Sequence, residues 1–148
     1  MIIAIGNDHH GFAQKQLIKE QFYLPEQMLE WHDVGSFSRD RVDYPHYGIA
    51  VARAVQDKSA DCGILLCGTG VGMAIIANRF KGIYAALAWN VELARKSKED
   101  DKANILVIPS DYVRDDEVIP MINAWVSAKF KGGRYQERLD MIDKLGGV

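Results

Sequence analysis

Five short apolar runs, at residues 2–5, 28–31, 63–66, 83–88 and 105–108, punctuate this chain at intervals too long for hairpins. Between and after them lie longer segments of helical period, at residues 11–22, 46–56, 71–80, 91–98, 118–130 and 134–145. Parallel strands need a long crossover, usually a helix. The alternation therefore predicts an α/β domain of three layers, a five-stranded parallel sheet with helices on both faces. Pro120 fits if the fifth helix starts at residue 118, because a first turn does not need its amide. In such a sheet the loops at the carboxyl ends of the strands carry the chemistry, concentrated where the strand order reverses. Three stretches are chemically rich: residues 7–10, 67–72 and 100–104. The last precedes its strand and so belongs to the opposite edge, where it is placed to serve a neighbouring subunit's site.

Composition narrows the function classes. With 148 residues, 48% hydrophobic and 26% charged, the chain reads as one domain over residues 1–148, able to bury about 70% of its unfolded surface. A formal net charge of −2 with interspersed signs supplies no basic face for nucleic acid. No apolar run approaches the ~18 residues of a membrane span. The start, Met1-Ile2-Ile3-Ala4-Ile5, lacks the basic flank and cleavage site of a secretion signal, so a cytoplasmic protein with no membrane partner is expected. Cys62 and Cys67 suit neither a disulfide framework nor a four-ligand zinc site, which predicts two free thiols and no metal. Cys62 reads as a core or strand-entry residue.

The densest chemistry lies in Cys67-Gly68-Thr69-Gly70-Val71-Gly72, where an expected strand turns into an expected helix. Backbone amides converging at the start of that helix, from Gly68 to Gly72, form an anion site, and their field is expected to lower the pKa of the Cys67 thiol. A base beside an oxyanion hole is what an aldose–ketose isomerisation requires: one group moves a proton between C1 and C2 while donors stabilise the enediolate. Thr69 adds a hydroxyl. A tight turn around a buried cysteine is the plainer alternative. Two other active readings fail at Met73, where a dinucleotide fingerprint needs glycine and a cysteine-phosphatase loop needs arginine.

Further motifs share a pattern with this turn. They are Gly6-Asn7-Asp8-His9, Asp43-Tyr44-Pro45-His46-Tyr47, Ala77-Asn78-Arg79-Phe80 and Gly132-Gly133-Arg134-Tyr135-Gln136-Glu137-Arg138. Together with the turn they resemble the family of ribose-5-phosphate isomerase type B and galactose-6-phosphate isomerase over nearly the whole chain. The resemblance implies a Rossmann-like fold, a sugar-phosphate substrate, a homodimer or a tetramer of dimers with shared active sites, and no cofactor. It also implies that Cys67 is the proton-shuttling thiol and that the amides of Gly68, Gly70, Val71 and Gly72 hold the enediolate. By the same resemblance Asp8, His9 and Tyr44 are substrate-binding groups, and Arg134 and Arg138, one helical turn apart, clamp the phosphate. His10 has no counterpart in the pattern and is expected to be exposed or to act from behind the site; His46 is expected to start a helix.

The chain also departs from that pattern. The family's His-Asn pair before the fifth strand is replaced by Asp100 and Asp101, and its arginine after that strand by Asp111, with Arg114 a candidate substitute nearby. Added carboxylates repel an anionic ligand unless protonated or turned away. Three readings follow: Asp100 acts as the ring-opening acid or base; the substrate is an open-chain sugar phosphate such as a tetrose phosphate; or the carboxylates bind hydroxyls of an unphosphorylated sugar. A non-catalytic sugar-phosphate-binding subunit on the same fold is the competitor from another class.

Overall fold

A computed structural model describes residues 1–146 and has the expected architecture. Five strands, β1 (Ile2–Asn7), β2 (Glu30–Gly35), β3 (Cys62–Cys67), β4 (Ala85–Leu87) and β5 (Ile105–Pro109), form one sheet in the order β2-β1-β3-β5-β4. Every pairing is parallel. The helices are α1 (Phe12–Gln21), α2 (Pro45–Gln56), α3 (Val71–Ala77), α4 (Val91–Asp101), α5 (Asp115–Ser127) and α6 (Arg134–Asp143). A single 3-10 turn, His9–Gly11, leads into α1.

The side-chain alternation of the central strands divides the interior in two. Ile3, Ile5, Ile64, Leu66, Leu106 and Ile108 face α1, α4 and α5, where Ile18, Ala94 and the fully buried Trp125 complete one core. Ala4, Leu65, Cys67 and Val107 face α2 and α3, where Val51, Val55 and Met73 complete the other. Helix α6 packs beside the β4 edge, burying Leu139, while the Tyr84 hydroxyl donates to Asp143 at 2.8 Å. Strand order reverses beside β1, which opens a crevice over the carboxyl ends of β1 and β3. Among the described residues no helix is long and apolar enough to cross a membrane.

Several boundaries shift from expectation for physical reasons. The second strand occupies Glu30–Gly35 rather than residues 28–31: as an edge strand it is only partly buried, so its sequence Glu-Trp-His-Asp-Val-Gly carries little apolar signal. Helix α3 ends at Ala77, short of residue 80. Helix α4 instead runs on to Asp101, because Lys102 adopts a left-handed conformation (φ 53°) that caps it, and Asp100 and Asp101 lie in its last turn and not in a loop. Helix α5 starts at Asp115, so Pro120 lies inside it and not in its first turn. The carbonyl freed by the missing Pro120 amide belongs to Asp116, which is exposed, so water can satisfy it.

One ion cluster ties α1 to the β2 edge. The Lys15 ammonium, 1% exposed, lies 2.9 Å from Asp33 Oδ1, and Lys19 reaches Asp33 Oδ2 at 2.8 Å. Burial pushes the Lys15 pKa down against the pull of Asp33. Burial opposes ionisation of Asp33 too, but donors from Lys15, Lys19 and the Gly35 amide outweigh it and hold the carboxyl below its usual range. A depressed carboxyl contributes stability that is present above its unfolded pKa and lost as pH falls through the folded value. Asp33→Asn, which leaves a buried ammonium poorly compensated, should cost about 3 kcal/mol at neutral pH. Urea unfolding of both proteins at pH 7 and pH 3 should show the gap narrowing at the lower pH.

Candidate functional site

The crevice is assembled where the ends of β1, β3 and β5 meet. Asn7 pairs with Leu66, and the Asp8 amide donates to the Leu66 carbonyl at 3.0 Å. Gly11 then passes so close to β3 that an added Cβ would lie 2.5 Å from Leu66 Cβ. These contacts set Asp8 beside Cys67. Asp8 also caps the short 3-10 turn, its Oδ1 accepting from the Gly11 amide at 3.1 Å, which fixes the carboxylate's direction. On the other side the β5 loop is laced to the glycine-rich turn. The Ser110 amide donates to the Cys67 carbonyl at 2.8 Å and the Asp111 amide to the Gly68 carbonyl at 3.1 Å.

Cys67 is 8% exposed, and the Asp8 carboxylate and the amides of Gly68 and Gly70 lie close enough to act on its thiol. The thiol pKa does not fall as the glycine-rich turn alone suggests. Burial and the Asp8 carboxylate push it up to about 11, outweighing the two amides. Because α3 has only seven residues, the favourable field comes from those local amides rather than from a long helix. Gly70 supplies the left-handed corner (φ 75°) that starts α3, where a Cβ would also collide with Leu87 at 2.5 Å. Thr69 Oγ1 accepts from the Val71 amide at 3.3 Å, so that amide is engaged within the turn while the Thr69 hydroxyl proton can still be donated.

An open cleft of about 560 Å³ adjoins Asp8, lined also by His9, His10, Arg41, Asp43, Tyr44 and His46. His9 Nδ1 is out of solvent and has no hydrogen-bond partner among the described residues. Tyr44 lies against the start of α3: a Cβ on Gly72 would fall 2.8 Å from its hydroxyl. His46 is an exposed residue in the first turn of α2. Asp8, His9 and Tyr44 line this cleft, while Cys67 lies beside Asp8, Gly72 lies against Tyr44 and Thr69 sits in the turn between them. Arg41 escaped the sequence reading, although it is a base two residues before the Asp43-Tyr44-Pro45 motif. Equally unforeseen is the contact of His10 with Asp111, which lie 101 positions apart.

The other expected groups gather elsewhere. The guanidinium groups of Arg134 and Arg138 lie 5.2 and 5.5 Å from the Tyr135 ring centre, and the Lys131 ammonium lies 5.1 Å from it. Lys131 also holds Asp100 at 2.7 Å and keeps its carboxyl below the usual range. That pairing gives Asp100 a partner other than a sugar and argues against an acid–base role in this chain at neutral pH. Asp101 borders a separate cavity of about 420 Å³ beside Tyr84 and Leu139. The end of α4 leads into β5 at the edge opposite Cys67, separated from it by the strand's four residue steps, about 13 Å. Arg114 is occupied with Asp116 at 3.0 Å and Glu117 at 3.6 Å and does not replace an arginine at position 111.

A family model described as Ribose/Galactose Isomerase matches residues 3–142. The chain belongs to this family. Ribose-5-phosphate isomerase B of Escherichia coli is 41% identical over 143 residues, covering 97% of this chain and 95% of the relative. Ribose-5-phosphate isomerase B of Clostridium thermocellum superposes with a TM-score of 0.92 at 39% identity, covering 98% and 97% of the two chains. The structure of the Mycoplasma genitalium enzyme with bound ribulose 5-phosphate matches at a TM-score of 0.90 and 38% identity, covering 97% and 95%.

In this family member the Asp8–Cys67 pairing has a direct chemical readout. Iodoacetamide should label Cys67 slowly at pH 7.5 and faster as pH rises toward 11, since only the thiolate reacts. Asp8→Asn removes one cause of the raised pKa and should speed labelling about tenfold for each unit relieved. Mass spectrometry of the Cys67 peptide separates it from Cys62, whose thiol burial also pushes up to about 11.

Proposed function

We propose that this protein interconverts an aldose phosphate and a ketose phosphate of the ribose 5-phosphate and ribulose 5-phosphate type through a cis-enediolate. The observation that carries the reading is the Cys67 thiol, buried beside the Asp8 carboxylate in a turn whose Gly68 and Gly70 amides act on its sulfur. At neutral pH the resting thiol keeps its proton. The thiolate that acts as base forms when that proton is lost to solvent, and Asp8 turning toward a sugar hydroxyl raises its population by removing a nearby negative charge. The thiolate takes the C2 proton of the aldose, negative charge passes to O1, and amides of the turn stabilise it. The O2 hydroxyl proton passes to O1, and as the negative O2 re-forms the carbonyl at C2 the thiol returns its proton to C1, which yields the ketose and regenerates the thiolate. Because the base form is the minority species below pH 11, kcat/KM should rise with pH above neutrality.

Arg134 and Arg138 suit a phosphate, and they lie at the opposite edge from Cys67. Their placement supports a homodimer in which each site combines one copy's thiol with the other copy's arginines; pairing two such dimers into a tetramer would leave that site unchanged. Asp100, held ionised by Lys131, favours a second substrate reading, an open-chain tetrose phosphate that needs no ring opener at that position.

Deuterium washout from C2 across four-, five- and six-carbon sugar phosphates tests the reaction and ranks the substrates. Cys67→Ala should lower exchange about a thousandfold; unchanged exchange removes the cysteine mechanism, and binding without exchange in the parent favours a sensor. Mixing inactive Cys67→Ala and Arg134→Ala chains through unfolding and refolding should restore about a quarter of parental activity, because half of the dimers then carry one intact site. No recovery would exclude sharing across the interface.

A further inference from the structure

We propose that His10 and Asp111 form an acid–base pair that opens and closes the furanose ring of the substrate, His10 moving the proton and Asp111 orienting the imidazole. The proposal rests on the isomerase reading, since a thiol can reach C2 productively only in the open-chain aldehyde. His10 Nδ1 lies 3.1 Å from Asp111 Oδ2 and 3.3 Å from Oδ1. An ionised carboxylate only accepts, so the ring proton sits on Nδ1 and Nε2 is left as the base. The pair straddles the catalytic turn: a Cβ added to Gly68 would lie 2.9 Å from Asp111 Oδ2 and 3.3 Å from His10 Cγ. It therefore packs on the residue that follows Cys67, one partner from each flanking loop. The His9 ring centre lies 4.4 Å from that of His10, and both line the cleft, where Asp8, Arg41 and Asp43 are the charged groups.

The two side chains are 46% and 49% exposed, so as a salt bridge the pair contributes little to stability. That exposure leaves the imidazole accessible from the cleft. The chemistry it would perform is balanced. Nε2 takes the proton of the anomeric hydroxyl as C1=O forms, the C1–O4 electron pair leaves with O4, and the proton on Nε2 passes to O4. A hemiacetal becomes an aldehyde and a hydroxyl with no net proton change. Asp100 is tied to Lys131 at the far edge, and Asp111, which removes a positive charge from the site, gains a purpose as the carboxylate behind His10.

Ring opening can be followed without isomerisation in Cys67→Ala protein, as exchange between the α and β anomers of ribose 5-phosphate measured by NMR magnetisation transfer. Cys67→Ala should accelerate exchange over buffer, and Cys67→Ala with His10→Asn should lose about a hundredfold of that acceleration. His10→Gln, with a matching melting curve, controls for local unfolding. Asp111→Asn should reduce exchange without changing ribose 5-phosphate affinity, and Asp111→Glu should recover part of it. Exchange that survives His10→Asn, or no acceleration by Cys67→Ala at all, overturns the pair while leaving isomerisation by the parent intact. A parent that speeds anomer exchange yet forms no ketose overturns the isomerase reading instead.

Discussion

The approach of Gly11 to Leu66 is the contact on which the geometry of the crevice depends. Residues 8–11 can lie over the end of β3 only because position 11 has no side chain, and the Asp8 amide bonded to Leu66 holds the loop there. From that docking follow the direction of the Asp8 carboxylate, its place beside the Cys67 thiol and the raised proton affinity of the sulfur. The β5 loop supplies the matching restraint through Ser110 and Asp111. A turn fixed from both flanks can present its amides in one arrangement before any ligand arrives, which is the condition for electrostatic stabilisation without reorganisation.

The charges are divided between two edges of one sheet. Acidic and imidazole groups collect at the carboxyl ends of β1, β3 and β5, whereas Lys131, Arg134 and Arg138 ring Tyr135 beside the end of α4. Among the described residues Arg41 is the one arginine or lysine that lines the cleft beside Asp8. Asp100 lowers the net charge of the basic cluster by pairing with Lys131, and among the described residues the two arginines form no ion pair.

Much of this was legible in sequence because parallel α/β folds write themselves as alternating short and long segments. The three central strands were recognisable since both of their faces are buried, which makes them continuous apolar runs. β2 was misplaced for the converse reason: an edge strand carrying Glu30, His32 and Asp33 lacks that run. The Cys67 turn announced itself through its glycines, but its acidity did not, because the neighbour that raises the pKa arrives from β1 by tertiary packing. Nor could spacing reveal that Asp111 would meet His10, or that Asp100 would close a helix and bind Lys131.

With its pKa pushed up to about 11 by burial and the Asp8 carboxylate, the Cys67 thiol, 8% exposed, is protonated at neutral pH. Peroxide and other oxidants attack the thiolate, so a cysteine kept protonated beside Asp8 is slow to become sulfenic acid. The carboxylate that raises its proton affinity thereby protects it. A thiol ruled by the turn's amides alone would ionise more readily and oxidise faster.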